Sequence, residues 1–313
     1  MHCCLLGGTG FIGGHLLRKL LEQGHTVSLL SRKSADANMS LPPDLPTDRV
    51  RWIVGDFRDM SAVANALEGA EQCFHLVSTT LPRSSNDDPI YDISSNVNGT
   101  LAMLQTAISL GVKRVIFVSS GGTVYGTPQF LPVSENHPLE PNCSYGIAKL
   151  AIEKYLQLFL TLHGLDYRII RLSNPYGEGQ QFNRAQGAVS VFVHRVLTHE
   201  RIDIWGDGST VRDYIYVEDA VRGILGVANY SGGERIFNIG SGQGRSLNSI
   251  LREIEMALRC TADVSYLPGR AFDVPTNVLS IDRARLLIGF NPETDFAEGL
   301  ARTVEWQRSV LQE

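Results

Sequence analysis

His2 to Leu6 is a short apolar run that ends at Gly7-Gly8-Thr9-Gly10-Phe11-Ile12-Gly13. Behind the glycines, Ile12, Leu16, Leu17, Leu20 and Leu21 recur at helical spacing. Strand, glycine turn and helix in that order leave the chain few folds. The glycines allow a tight turn and a close backbone approach, and the helix start offers N–H groups that no helical carbonyl can take. A pyrophosphate suits that end. Gly7, Gly10 and Gly13 read G-x-x-G-x-x-G, not the commoner G-x-G-x-x-G, with Phe11 and Ile12 inside the motif. A plain turn at a strand end is the alternative.

The same rhythm continues downstream. Strands are predicted over Thr26–Leu30, Val50–Val54, Cys73–Val77 and Val115–Ser119, with helices over Ser61–Leu67 and Ile93–Leu110 between them. Alternation of this kind means an α/β fold with a doubly wound parallel sheet. Ligands on such sheets sit at the carboxyl ends of the strands. Gly7, Ser31, Asp56, Ser78 and Ser119 all mark such ends, so one cleft can hold them. Asp56 is placed to bond an adenine amino group, with Phe57, Leu76 and Val77 as neighbours in the same set. Asp59 is a candidate helix cap.

The second strand ends Ser31-Arg32-Lys33, with no carboxylate to take the two ribose hydroxyls of NAD. Arg32 and Lys33 lean instead to the 2′-phosphate of NADP, a solvated basic loop being the other reading.

The chain of 313 residues is 43% hydrophobic, enough for one large α/β domain or two intertwined ones. A net charge of -5 argues against nucleic acid as a partner, so an anionic ligand must meet local arginines. No apolar run is long enough to span a membrane, and no basic-then-apolar leader precedes the first strand. Cys3, Cys4, Cys73, Cys143 and Cys260 show no C-x-x-C spacing. Reduced thiols in a cytoplasmic protein, with no metal, are the simplest expectation.

Tyr145-Gly146-Ile147-Ala148-Lys149 enters an apolar run from Leu150 to Leu162. A tyrosine and a lysine four apart lie on one helix face. An ammonium near a phenol favours the phenolate and would make it a usable base near neutral pH. Alone, such a pair is more often a surface feature.

Its company changes that. The glycine turn, Asn96, Ser119-Ser120-Gly121-Gly122-Thr123-Val124-Tyr125-Gly126 and Tyr145/Lys149 together resemble the extended short-chain dehydrogenase/reductases. Within these the chain looks most like nucleotide-sugar epimerases of the UDP-glucose 4-epimerase type. Further pieces are Arg171-Leu172-Ser173-Asn174-Pro175-Tyr176-Gly177, the stretch from Trp205 to Val217 that contains Arg212, and Arg270-Ala271-Phe272-Asp273. The resemblance implies a Rossmann-type sheet with a smaller C-terminal substrate domain, a retained nicotinamide cofactor, NAD(P), and a UDP-sugar substrate. It makes Tyr145 the acid and base at the sugar 4-hydroxyl, and Lys149 the holder of the nicotinamide ribose. Asn96 and Ser119 join the cofactor set. Asn174 and Arg212 match positions that hold the diphosphate, and Arg270 and Asp273 a pair near the diphosphate and nucleotide ribose.

One departure matters. Gly121 stands where the family usually has a Ser or Thr donating to the substrate oxygen, so Ser120 or Thr123 must serve instead, or Tyr145 acts alone. Gly122 and Thr123 lack the carboxylates a 4,6-dehydratase needs. The expected division is 1–174, with 211–240 returning to it, against 175–210 and 241–313. A homodimer through the two long helices is compatible with the pattern. An NADPH-dependent 4-ketoreductase and a non-catalytic dinucleotide-sensing relative are the alternatives.

Overall fold

The computed structural model describes residues 1–34, 47–82, 84–182, 187–269 and 274–312. Arg270 and Asp273 lie outside them. The chain opens with β1 (His2–Leu6), α1 (Phe11–Glu22), β2 (Thr26–Ser31), β3 (Val50–Val54), α2 (Met60–Leu67) and β4 (Gln72–His75). It continues with α3 (Pro89–Asp92), α4 (Gly99–Ser109), β5 (Arg114–Ser120), α5 (Ser144–His163) and β6 (Asp166–Leu172). Next come β7 (Asn174–Tyr176), α6 (Ala188–Leu197), β8 (Ile202–Trp205), β9 (Val211–Tyr216), α7 (Val217–Asn229) and β10 (Ile236–Ile239). It closes with β11 (Gly244–Ser246), α8 (Leu247–Leu258), β12 (Val264–Leu267), β13 (Thr276–Asn277), α9 (Asp282–Ile288) and α10 (Phe296–Gln312).

Seven strands form one sheet in the order β10-β6-β5-β4-β1-β2-β3, and the pairings from β3 across to β5 are parallel. The order reverses between β1 and β4, which is where a doubly wound sheet opens a ligand crevice. Cys3 through Leu6 are all buried, as expected of a central strand covered on both faces. Leu16, Leu17, Leu20 and Leu21 form the buried face of α1. Asp59 caps α2, its carboxylate accepting from the Ser61 and Ala62 N–H groups at 2.9 and 3.4 Å.

The expected helix over Ile93–Leu110 is not continuous. Residues Ile93–Asn98 form a π-helical turn between α3 and α4. The Asn96 amide, on this turn, donates back to the Asp92 carbonyl at 3.1 Å, a side-chain contact that helical spacing alone does not reveal. The fourth strand also stops at His75, short of Val77.

The chain forms two compact units. The first comprises Met1–Val124, Pro141–Arg171 and Val227–Phe237, and the second Tyr125–Glu140, Leu172–Gly226 and Asn238–Glu313. This boundary departs from the expected one. Residues 211–226 stay with the second unit because β9 is the hub of its small sheet, pairing with β7, β11 and β13. Residues 125–140 join it too. There Val133 bridges to Leu279, and the Tyr125 hydroxyl donates to Asn238 Oδ1 at 2.6 Å.

Candidate active site

At the end of β1 the backbone turns through Gly7, whose φ of +94° only glycine adopts without strain. A Cβ on Gly13 would lie 2.1 Å from the Gly7 carbonyl oxygen, so α1 can pack this close only through glycine. Gly10 caps α1 without a side-chain bond. The N–H groups of Phe11, Ile12 and Gly13 therefore present the positive end of the helix beside the strand switch point. Leu76 and Val77 of the β4 end flank Gly7, each with backbone 3.2 Å from where its Cβ would stand. A dinucleotide pyrophosphate fits this turn.

At the other strand ends the picture is mixed. Ser31 is buried, and its hydroxyl accepts the Lys33 N–H at 3.2 Å; Arg32 and Lys33 are exposed. The Asp56 carboxylate accepts from the Arg58 N–H and Nε at 2.9 and 2.8 Å, and that pairing holds it below the usual carboxylate range. Part of its capacity is thus met within its own turn. The Phe57 ring is a core group packed on His75 at 5.1 Å.

Tyr145 and Lys149 sit on the first turns of α5, with the Lys149 ammonium 5.6 Å from the tyrosine ring centre. The ammonium donates to the Val118 carbonyl at 3.0 Å and lies over the Phe117 ring at 4.6 Å. Burial lowers its pKa to about 8, against the pull of Glu153 and Asp92. Tyr145 does not follow the expectation of a lysine-stabilised phenolate. Burial raises its pKa, Cys143 and Asp92 push the same way, and a Ser78 hydroxyl bonded to the phenol opposes them. Desolvation outweighs the distant ammonium.

The neighbours that spacing missed are buried and polar. Glu153, one turn beyond Lys149, pairs with Arg171 at 2.7 Å and accepts from the Ser119 hydroxyl at 2.5 Å. The Ser119 side chain is thereby engaged inside the core. Asn96 is engaged as well: its oxygen accepts from the Thr79 N–H at 2.9 Å, and its amide donates to Asp92 Oδ1 at 2.9 Å and to Thr80 Oγ1 at 3.2 Å. A small cavity remains among Ser78, Asp92, Asn96, Tyr145 and Lys149. The loop after β5 carries Ser120 and Thr123, and the Thr123 hydroxyl is buried with no hydrogen-bond partner among the described residues.

In the second unit, Asn174 on β7 donates to the Asp213 carbonyl at 2.9 Å. Arg212 lies on the adjacent β9, where its Nη1 donates to the Val211 carbonyl at 2.8 Å. The Asp213 carboxylate is buried and accepts from the Ser241 N–H and hydroxyl and from the Gly242 and Leu279 N–H groups. The Gly240–Gly244 turn leads to Ser246, which caps α8 by accepting from the Ser249 N–H at 3.1 Å.

The sequence model of the NAD dependent epimerase/dehydratase family matches residues 3–240. The chain belongs to that family. Against other members, it is 34% identical to the UDP-glucose 4-epimerase of Mycolicibacterium smegmatis over 313 residues, the whole of both chains. It is 31% identical to the dTDP-4-dehydro-6-deoxyglucose reductase of Escherichia coli over 308 residues, 96% of each chain. Among solved structures, the UDP-glucose 4-epimerase of Thermotoga maritima with UDP-glucose aligns with a TM-score of 0.91 and 33% identity. That match covers 99% of this chain and 100% of the other. The resemblance drawn from the motifs is borne out, and the sheet is the one such epimerases have. A nicotinamide cofactor goes with family membership.

Proposed function

We propose that this chain is a UDP-hexose 4-epimerase that works by transient oxidation at C4 and keeps its nicotinamide cofactor bound. The carrying observation is the Tyr145–Lys149 pair on α5, in the same unit as a glycine turn shaped for pyrophosphate and within a fold that matches known epimerases along its length. When bound, oxidised nicotinamide supplies a hydride acceptor and donor and a positive charge. Gly7, Gly10 and the first turn of α1 hold the pyrophosphate. Lys149 has three ammonium protons and gives one to Val118, which leaves donors for a ribose. Tyr145 takes the proton of the 4-hydroxyl and returns it after the sugar has turned. Its pKa must fall for this, and positive charge brought near the phenol acts in that direction. Thr123 or Ser120 donates to the same oxygen. Asn174 and Arg212 serve the diphosphate, since a guanidinium gives forked, permanently charged donors to phosphate oxygens. Arg270 and Asp273 are assigned there by resemblance.

The cofactor is NAD by family and NADP by the absence of a carboxylate at the β2 end, where Arg32 and Lys33 stand. Denaturing the purified protein and separating the released dinucleotide decides between them. Incubation with UDP-glucose, UDP-N-acetylglucosamine and UDP-glucuronate, no cofactor added, names the sugar. The second reading, an NADPH-dependent 4-ketoreductase, is favoured by the E. coli relative and by the same two basic residues. NADPH oxidation on a 4-keto sugar nucleotide, without epimerisation, would establish it. A homodimer is also proposed: Ile147, Tyr155, Leu158 and Leu162 make one exposed apolar stripe along α5. Sedimentation equilibrium tests it. Among the described residues no helix is long and apolar enough to cross a membrane.

A further inference from the structure

Asp92, the last residue of α3, is fully buried beside the catalytic pair. Its Oδ1 accepts from the Thr80 hydroxyl and, at 2.9 Å, from the Asn96 amide. Its Oδ2 accepts from the Ser144 hydroxyl at 2.7 Å. Ser144 is the first residue of α5 and Tyr145 the second. The same stretch of chain supplies the other bonds to that turn: Asn86 Oδ1 accepts the Ser144 N–H at 2.9 Å, and the Ser85 hydroxyl accepts the Tyr145 N–H at 3.0 Å.

We propose that Asp92 is a positioning residue for Tyr145 and Lys149, tying the first turn of α5 to the π-helical turn and placing a second carboxylate, besides that of Glu153, around the cavity that the Lys149 ammonium lines. The proposal rests on reading that pair as the catalytic one. A tether needs no charge. Ser85 and Asn86 cap this helix with neutral groups, and burying a carboxylate is costly unless the charge is used or compensated. Among the described residues the donors to Asp92 are the uncharged side chains of Thr80, Asn96 and Ser144. Glu153, the acid facing Lys149 from α5 itself, is paired with Arg171 and Ser119 and is still the larger of the two carboxylate influences on the ammonium, with Asp92 the second. From β4, His75 faces Lys149 as a neutral ring, its pKa lowered by burial to about 3. Tyr145 completes the surroundings on α5. Burial drives Lys149 toward the uncharged amine, and Asp92 is one of two carboxylates that oppose it. A carboxylate near the helix N-terminus is also favoured by the helix dipole.

Asp92→Asn isolates the charge. The amide oxygen still accepts from Thr80 and Asn96, and the Ser144 hydroxyl can turn to accept from the new amide. The five lysines, Lys19, Lys33, Lys113, Lys149 and Lys154, make a titration of ε-13C-labelled lysine by NMR tractable on the whole protein. The Lys149 pKa is expected to fall by roughly one unit in Asp92→Asn, and the alkaline limb of kcat to move down with it. Ser144→Ala keeps the charge and removes the tether: Lys149 should titrate as in the parent, while kcat falls several-fold with KM little changed. An unmoved Lys149 in folded Asp92→Asn, or a Ser144→Ala enzyme with unchanged kcat, overturns the proposal. If Asp92→Asn does not fold, Ser144→Ala alone decides. A shifted Lys149 in a protein that turns over no sugar nucleotide supports the role of Asp92 and removes the epimerase reading instead.

Discussion

His75 Nε2 and Thr100 Oγ1 lie 2.9 Å apart inside the core, and the threonine spends its own proton on the Asn96 carbonyl at 2.6 Å. His75 must therefore be the donor, which leaves Nδ1 buried with no partner among the described residues. Burial, with Lys149 adding to it, lowers the histidine pKa from 6.5 to about 3. Within that window the unfolded chain binds a proton that the folded chain refuses. The stability is full above the unfolded value and is lost as the pH falls through it. A loss of about 2 kcal/mol is expected between roughly pH 6.5 and pH 4.5. Thermal unfolding of His75→Gln over that range should show a shallower slope than the parent; an equal slope contradicts the assignment.

Tyr145→Phe removes the only atom proposed to move a proton at the sugar. Turnover should drop by about a thousandfold, while the dinucleotide released on denaturation stays stoichiometric. Loss of the dinucleotide with turnover would make the phenol a binding group.

Thr123 and Ser120 compete for the role left open by Gly121. The buried, unpartnered Thr123 hydroxyl favours the first. Thr123→Val should lower kcat by about a hundredfold, and Ser120→Ala should matter far less. The reverse order would assign Ser120.

Gly13→Ala puts a methyl 2.1 Å from the Gly7 oxygen and 2.6 Å from the Gly8 Cα. Backbone must move to admit it, at about 1–3 kcal/mol. The variant should melt lower and purify with little dinucleotide. Full retention would remove the turn from the cofactor site.

Strands were legible where burial alone decides them. β1 begins and ends at the residues its apolar run marks, because a central parallel strand is covered on both faces; β3 matches its run too, although as the edge strand it buries only Ile53. Helical spacing gave the Tyr145–Lys149 pair, and the glycine pattern gave the turn. The π-helical turn was not legible, because the apolar spacing runs on through Asn96 and the backbone stays helical across it, changing only its hydrogen-bond register. Nor were Asp92, Glu153 and His75. In sequence each is an ordinary polar residue, and its burial depends on partners such as Ser144, Arg171 and Thr100, 18 to 52 positions away. The excursion of 125–140 into the second unit likewise rests on contacts such as Tyr125 with Asn238.

The central claim is that hydride leaves and returns to C4 on a cofactor the protein keeps. UDP-glucose, UDP-N-acetylglucosamine and UDP-glucuronate, each deuterated at C4 and incubated with purified protein and no added cofactor, test it directly. The account predicts that one of them yields its 4-epimer carrying the deuterium at C4, with no net change in nicotinamide redox state. Absence of an epimer from all three, or an epimer whose label has exchanged with solvent, would contradict it.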